Sequence, residues 1–81
     1  MTSGMAVVTR GAAGLGMIIT RSLSRQGLHV VIADRDNEAG QAAVEKVELA
    51  GGQASHVAID MSEEQQVRQL PERLGRLGRQ A

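Results

Sequence analysis

The sequence predicts an α/β fold, an incomplete doubly wound parallel sheet with element order βαβαβα and strand order 3-2-1. Short apolar runs recur three times along the 81 residues, and each is followed by turn residues and then by apolar residues at helical spacing. Strands that alternate with helices form parallel βαβ units. Right-handed crossovers then place the strands side by side, with the first two helices on one face. The last helix would have to cross to the far side of the first strand and lead into a fourth strand.

The first βα unit begins at Met5–Thr9, an apolar run typical of a buried strand. A glycine-rich turn follows, and apolar residues at helical spacing predict a helix that ends near Gly27. The strand has the composition of a central strand, yet the order 3-2-1 puts it at an edge. We therefore expect self-association, or a complementing chain, at this exposed edge.

The second and third units repeat this pattern. Strands are predicted at Leu28–Ala33 and Ala54–Ile59, with a helix over Glu38–Ala50 between them. Ser62 and Gln65 have the spacing of a capping box, which predicts that the last helix begins there. Because proline removes a helical hydrogen bond, Pro71 predicts a kinked or fraying helix.

The composition excludes several functions. The formal net charge is zero, which argues against a nucleic-acid surface. Cysteine is absent, which rules out disulfides and thiolate metal ligands and favours a cytoplasmic location. No apolar stretch approaches the roughly 20 residues of a membrane span, so we expect no membrane contact. The two histidines have no partner at ligand spacing, and we expect no metal site.

The glycine turn after the first strand is the main functional candidate, with Gly11, Gly14, Leu15 and Gly16 as its residues. Free backbone N–H groups at the start of a helix suit a pyrophosphate, and glycine lets that anion approach the backbone. The alternative is a tight strand-to-helix turn without a ligand. The loop alone does not decide between the two.

Asp34 follows the second strand and is the next candidate. A carboxylate there can accept both ribose hydroxyl groups of an adenosine and would repel a 2′-phosphate, which predicts NAD rather than NADP. The alternative is that Asp34 and Asn37 belong to a polar turn that caps the next helix. Arg35 either flanks the adenine, pairs with a carboxylate or is a solvated surface charge.

Asp60 and Met61 follow the third strand. The carboxylate of Asp60 and the next backbone N–H can match the acceptor and donor edge of an adenine ring. The alternative is that Asp60 only helps the chain enter the last helix, beside Ser62.

Taken together, these motifs resemble the N-terminal part of the short-chain dehydrogenase/reductase family. The family motif TGxxxGxG is matched by Thr9, Gly14 and Gly16, and the segments VVIADRD and AIDMS are similar to its second-strand and adenine-contacting segments. The resemblance implies a Rossmann-like three-layer αβα fold, with residues 1–81 as the N-terminal half of an NAD(P)-binding domain. It implies these cofactor-binding residues: Gly11, Gly14, Leu15, Gly16, Asp34, Arg35, Asp60 and Met61.

The sequence departs from the family at two points. Arg10 occupies the place of the first motif glycine. There it is strained if the position needs a left-handed or cramped backbone, unless Gly11 takes over the turn. Its guanidinium either pairs with the pyrophosphate or leaves nucleotide affinity reduced. The family's catalysis depends on a tyrosine and a lysine four residues apart; this chain has no tyrosine, and its one lysine is Lys46. We therefore assign no catalytic residue.

The resulting functional hypothesis is the cofactor-binding part of an NAD-dependent oxidoreductase. Hydride transfer between NAD(H) and an alcohol or carbonyl would be the reaction of the parent enzyme. Two alternatives stay open: a non-catalytic module that binds an adenine nucleotide or docks to a partner, and a truncated remnant without function.

Overall fold

The chain alternates strands and helices, as its apolar runs predict. The computed structural model describes residues 4–12, 14–60 and 62–80, for 76–80 the backbone only. The elements are β1 (Met5–Thr9), α1 (Gly14–Arg25), β2 (His29–Ala33), α2 (Asn37–Leu49), β3 (Gln53–Val57) and α3 (Glu64–Gln80). None of these helices is long and apolar enough to cross a membrane.

The three strands form one parallel sheet in the order β1-β2-β3, which is the predicted order 3-2-1 counted from the other edge. His29 at the start of β2 pairs with Met5 on one side and Gln53 on the other, so the strands begin level with one another. Their carboxyl ends consequently meet at the same edge of the sheet, where parallel α/β folds bind their ligands.

Helices cover both faces of the sheet, and this confirms the three-layer fold. On one face Met17 of α1 and Val47 of α2 pack with Val30 and Ile32. On the other face Leu70 and Leu74 of α3 pack against a cluster of strand residues and the following segment, namely Val31, Ala33, Val57 and Ile59. Strand β2 lies between the two clusters, and its residues 30–33 are fully buried.

Strand β1 is one of the two edges of this sheet, and β3 is the other. Val7 lies on the α3 face, yet 39% of its surface is exposed because α3 covers the side of β2 and β3. On the other face α1 exposes three apolar side chains, Leu15, Ile18 and Ile19. The edge position predicted for an apolar first strand is confirmed.

The start of α3 differs from the predicted capping box. The Ser62 hydroxyl donates to the carboxylate of Asp60, 2.6 Å away, and α3 begins at Glu64. Gln66 rather than Gln65 reaches back, and its Oε1 accepts the N–H of Asp60 at 2.7 Å. The capping-box prediction was therefore wrong, because α3 begins at Glu64 and its first backbone hydrogen bond runs from Val67 N–H to the carbonyl oxygen of Glu63, so Ser62 lies one residue too early to be the N-cap. The helix continues through Pro71.

Candidate functional site

The carboxyl ends of the three strands converge on one cleft of about 520 Å³. Two backbone hydrogen bonds continue the ladder beyond the strands and hold these ends together. Arg10 N–H donates to the carbonyl oxygen of Ala33 at 2.8 Å, and Asp34 N–H donates to that of Val57 at 3.1 Å. The cleft is lined by Arg10, Gly14, Ala33, Asp34, Arg35, Ile59, Asp60 and Ser62.

Helix α1 opens at one side of this cleft. It begins at Gly14 and has no acidic residue in its first turn. No carboxylate of α1 therefore neutralises its free N–H groups and the positive end of its dipole. A Cβ at Gly16 would overlap the carbonyl oxygen of Arg10, so only glycine lets the turn pass this close to the helix. The buried Thr20 hydroxyl, on α1, donates to the carbonyl oxygen of Gly11 at 3.3 Å and so holds the turn against the helix.

Arg10 has a φ of 54°, the left-handed region that favours glycine. Among non-glycine residues of the described chain it alone has a positive φ. A glycine would adopt this backbone conformation freely, whereas the arginine is strained by about 1 to 2 kcal/mol. The strain expected from the sequence is confirmed by this angle.

We expect Arg10→Gly to raise the free energy of unfolding by roughly 1 kcal/mol, because the strain is relieved while glycine loses somewhat more backbone entropy on folding. Urea denaturation measures the change. The matched control is Arg21→Gly, the same substitution within α1, which should lower stability by roughly 0.8 kcal/mol. A fall in stability for Arg10→Gly would contradict the assignment of strain.

Asp34 lies at the tip of β2, half-buried in the cleft wall. Its Oδ1 accepts the N–H of Asp36 at 3.0 Å, and Asp36 in turn caps α2 by accepting the N–H of Ala39 at 3.0 Å. The polar-turn alternative therefore accounts for one oxygen of Asp34. Its Oδ2 has no hydrogen-bond partner among the described residues and remains as an acceptor.

Asp60 lines the same cleft as Asp34, after the end of β3. Its Oδ1 accepts both the N–H of Ser62, at 2.9 Å, and the Ser62 hydroxyl. Its Oδ2 lies 3.9 Å from Nη1 of Arg35. The Ser62 hydrogen bonds, with Arg35 adding to them, lower the pKa of Asp60 below its ordinary value, so this carboxylate is ionised at neutral pH. Arg35 thus pairs loosely with a carboxylate while remaining exposed.

The cleft brings together four of the predicted site residues, Gly14, Asp34, Arg35 and Asp60. The other glycine-turn residues do not line it: Gly11 is buried, Gly16 packs behind Arg10, and Leu15 is exposed. Met61 lies outside the described residues.

The sequence pattern gave no site role to two residues that support the cleft. Thr20 anchors the glycine turn, and His56 contacts the backbone of Asp34. Strand alternation was the available signal for His56, because it places this residue beside Ile32, on the face that α1 and α2 cover.

A second cleft, of about 410 Å³, lies at the far end of the helices and is lined by Arg21, Arg25 and Lys46 among others. Arg25 and Lys46 occupy the last turns of α1 and α2, where cations offset the negative end of the helix dipole. These charges are therefore explained without a ligand. Over the described residues no three histidine or acidic side chains are grouped as a metal site would need.

Comparison with known proteins identifies the family of this chain. The sequence pattern of the short chain dehydrogenase family matches residues 4–79. The chain belongs to this family. Polyprenol dehydrogenase of Danio rerio is 37% identical over 76 residues, which is 91% of this chain and 24% of the relative.

Two solved structures are similar as well. The citronellol catabolism dehydrogenase AtuB of Pseudomonas aeruginosa PAO1 matches with a TM-score of 0.85 and 30% identity, over 88% of this chain and 30% of the other. A metagenomic short-chain oxidoreductase in complex with NADP matches with a TM-score of 0.71 and 38% identity, over 74% of this chain and 27% of the other. The chain therefore spans about a quarter to a third of the length of the proteins that it matches.

Proposed function

We propose that residues 1–81 are the N-terminal, cofactor-binding half of the NAD-binding domain of a short-chain dehydrogenase/reductase. The parent reaction would be hydride transfer between NAD(H) and an alcohol or carbonyl. The observation that carries this proposal is the cleft itself, because it unites the start of α1 with Asp34 and Asp60 at the ends of three adjacent parallel strands. In open parallel sheets this edge is where nucleotides bind.

The residues of the cleft have the donors and acceptors that an adenine dinucleotide needs. The N–H groups at the start of α1 would hold the diphosphate, and the free Oδ2 of Asp34 would accept from the adenosine ribose. Asp60 and Arg35 would border the adenine. The cofactor, when bound, supplies the hydride chemistry, and these side chains bind and orient it.

Preference for NAD over NADP follows from Asp34. A 2′-phosphate beside this carboxylate would meet a like charge at close range, which opposes binding. Arg35 is next in sequence and cationic, but it is directed in part toward Asp60, which reduces its availability to a phosphate. A short-chain oxidoreductase similar to this chain has been solved with NADP; the NAD preference proposed here rests on Asp34.

The experiment is calorimetric titration of the chain with NAD and, separately, with NADP. We expect NAD to bind and NADP to bind at least tenfold more weakly, which is about 1.4 kcal/mol. No heat of binding with either nucleotide would contradict the proposed function, and equal affinities would contradict the NAD preference.

The same chain is proposed to lack catalysis by itself. It contains no tyrosine to serve as acid or base on a substrate, and Lys46 borders the second cleft instead of the nucleotide cleft. Oxidation of NADH with carbonyl substrates by these 81 residues would contradict this.

Because the chain has no cysteine, we also propose a cytoplasmic location.

We propose in addition that a second copy of the chain docks along β1. The free edge carries unpaired backbone groups, and Val7, Leu15 and Ile18 expose apolar surface beside it, with 71% of Leu15 and 65% of Ile18 accessible. An edge strand of this kind pairs readily with another strand. The zero net charge adds no repulsion between copies.

Val7→Lys is therefore expected to weaken this self-association at least tenfold, because it puts a charge in the apolar edge. Sedimentation velocity over a range of concentrations measures it. Leu49→Lys is the matched control, since Leu49 is exposed at the end of α2 and away from β1, and should leave the association unchanged. A wild-type chain that stays monomeric throughout would contradict the docking proposal.

A further inference from the structure

A half-buried histidine holds the backbone of the proposed ribose-binding residue. Nε2 of His56, on β3, lies 2.8 Å from the carbonyl oxygen of Asp34. A carbonyl oxygen only accepts, so Nε2 carries the hydrogen and donates it. We infer that His56 is a positioning residue that fixes Asp34 for nucleotide binding, an inference that rests on the function proposed above.

The hydrogen bond from His56 completes the anchoring of Asp34. The N–H of Asp34 donates to Val57 O at 3.1 Å, and its Oδ1 accepts from Asp36 N–H at 3.0 Å. With the carbonyl oxygen held by His56, three of the four polar atoms of Asp34 are bound to the protein. The fourth, Oδ2, is left free on a residue that lines the cleft, and a residue held in this way is preorganised for binding.

Helix α2 is shaped around the imidazole of His56. Gly40 is buried in the first turns of α2, and a Cβ there would overlap the Cδ2, Nε2 and Cγ atoms of the ring. Glycine within a helix is unfavourable by roughly 1 kcal/mol relative to alanine. The space that it gives to the ring is therefore a second observation that the position of His56 is specifically accommodated.

The competing explanation is that His56 only ties β3 to the β2–α2 turn. Both explanations predict a loss of stability when the histidine is replaced. They differ in coupling to Asp34, because a positioning residue loses its effect on binding once the carboxylate that it positions has been removed, whereas a structural tie does not.

The test uses His56→Leu and His56→Gln, each in the wild-type chain and in Asp34→Ala. Leucine removes the donor, and the glutamine amide carries a donor at nearly the reach of Nε2. Calorimetric titration with NAD measures binding, and urea denaturation of each variant measures folding. We expect His56→Leu to weaken NAD binding about tenfold, which corresponds to one lost hydrogen bond. We expect His56→Gln to restore most of that affinity.

In the Asp34→Ala background, His56→Leu should change NAD affinity less than about twofold. Wild-type affinity in His56→Leu, no recovery in His56→Gln, or an undiminished loss in the Asp34→Ala background would each overturn the role of His56. A wild-type chain that does not bind NAD would overturn the proposed function, and the positioning role with it. The two failures are thus distinguished by the wild-type titration.

Discussion

Gly16→Ala is expected to lower the free energy of unfolding by about 2 kcal/mol. The added Cβ would overlap the carbonyl oxygen and carbon of Arg10 and lie 3.0 Å from Cα of Gly11. These are backbone atoms, which cannot move aside as a side chain can, so the turn must shift at a cost of about 3 kcal/mol. The better helix propensity of alanine offsets roughly 1 kcal/mol of this loss. Urea denaturation measures the net change.

Gly75→Ala is the matched control for this variant. Gly75 lies within α3, and a Cβ there would meet no atom within 4 Å. The same chemical change should therefore raise stability by roughly 1 kcal/mol through helix propensity alone. If Gly16→Ala were as stable as the wild-type chain, the close approach of the turn to α1 would be refuted.

Asp34→Ala is expected to weaken NAD binding roughly 10- to 100-fold, since hydrogen bonds to a charged group contribute about 1.5 to 3 kcal/mol. NADP binding should change in the opposite direction, because the repulsion of its 2′-phosphate disappears with the carboxylate. Titration of both nucleotides into the variant measures the two effects together.

Asp36→Ala is the control for Asp34→Ala. The Asp36 carboxylate caps α2 through Ala39 and does not line the cleft, so its loss should lower stability by about 1 kcal/mol and leave NAD affinity unchanged. An equal loss of NAD affinity in the two variants would mean that the carboxylates act through general charge and not through a specific contact.

The sequence predicted the fold well because its signals are local and consistent. The second strand was predicted at Leu28–Ala33 and observed at His29–Ala33. The third was predicted over Ala54–Ile59, but β3 is Gln53–Val57. It ends earlier because its partner β2 ends at Ala33, which pairs with Val57. An apolar run does not show where pairing stops.

The candidate site could be predicted only in part. Spacing after each strand identified Asp34 and Asp60, since strand ends of a parallel sheet meet at one edge. The partners of these residues differ in how far the sequence reveals them. Asp60 and Ser62 are two residues apart, which is the spacing of an Asx turn. His56 and Asp34 are 22 residues apart, so their contact depends on the register of β3 against β2, and strand alternation gives only the face on which His56 lies.

The location of nucleotide binding is tested most directly by amide chemical shifts of the ¹⁵N-labelled chain during titration with NAD. The account predicts that the largest shifts fall on the amides of Gly14, Asp34 and Asp60, which surround the cleft at the strand ends. Largest shifts at Gly51 and Gly52, beside the second cleft, or no shifts at saturating NAD, would contradict it.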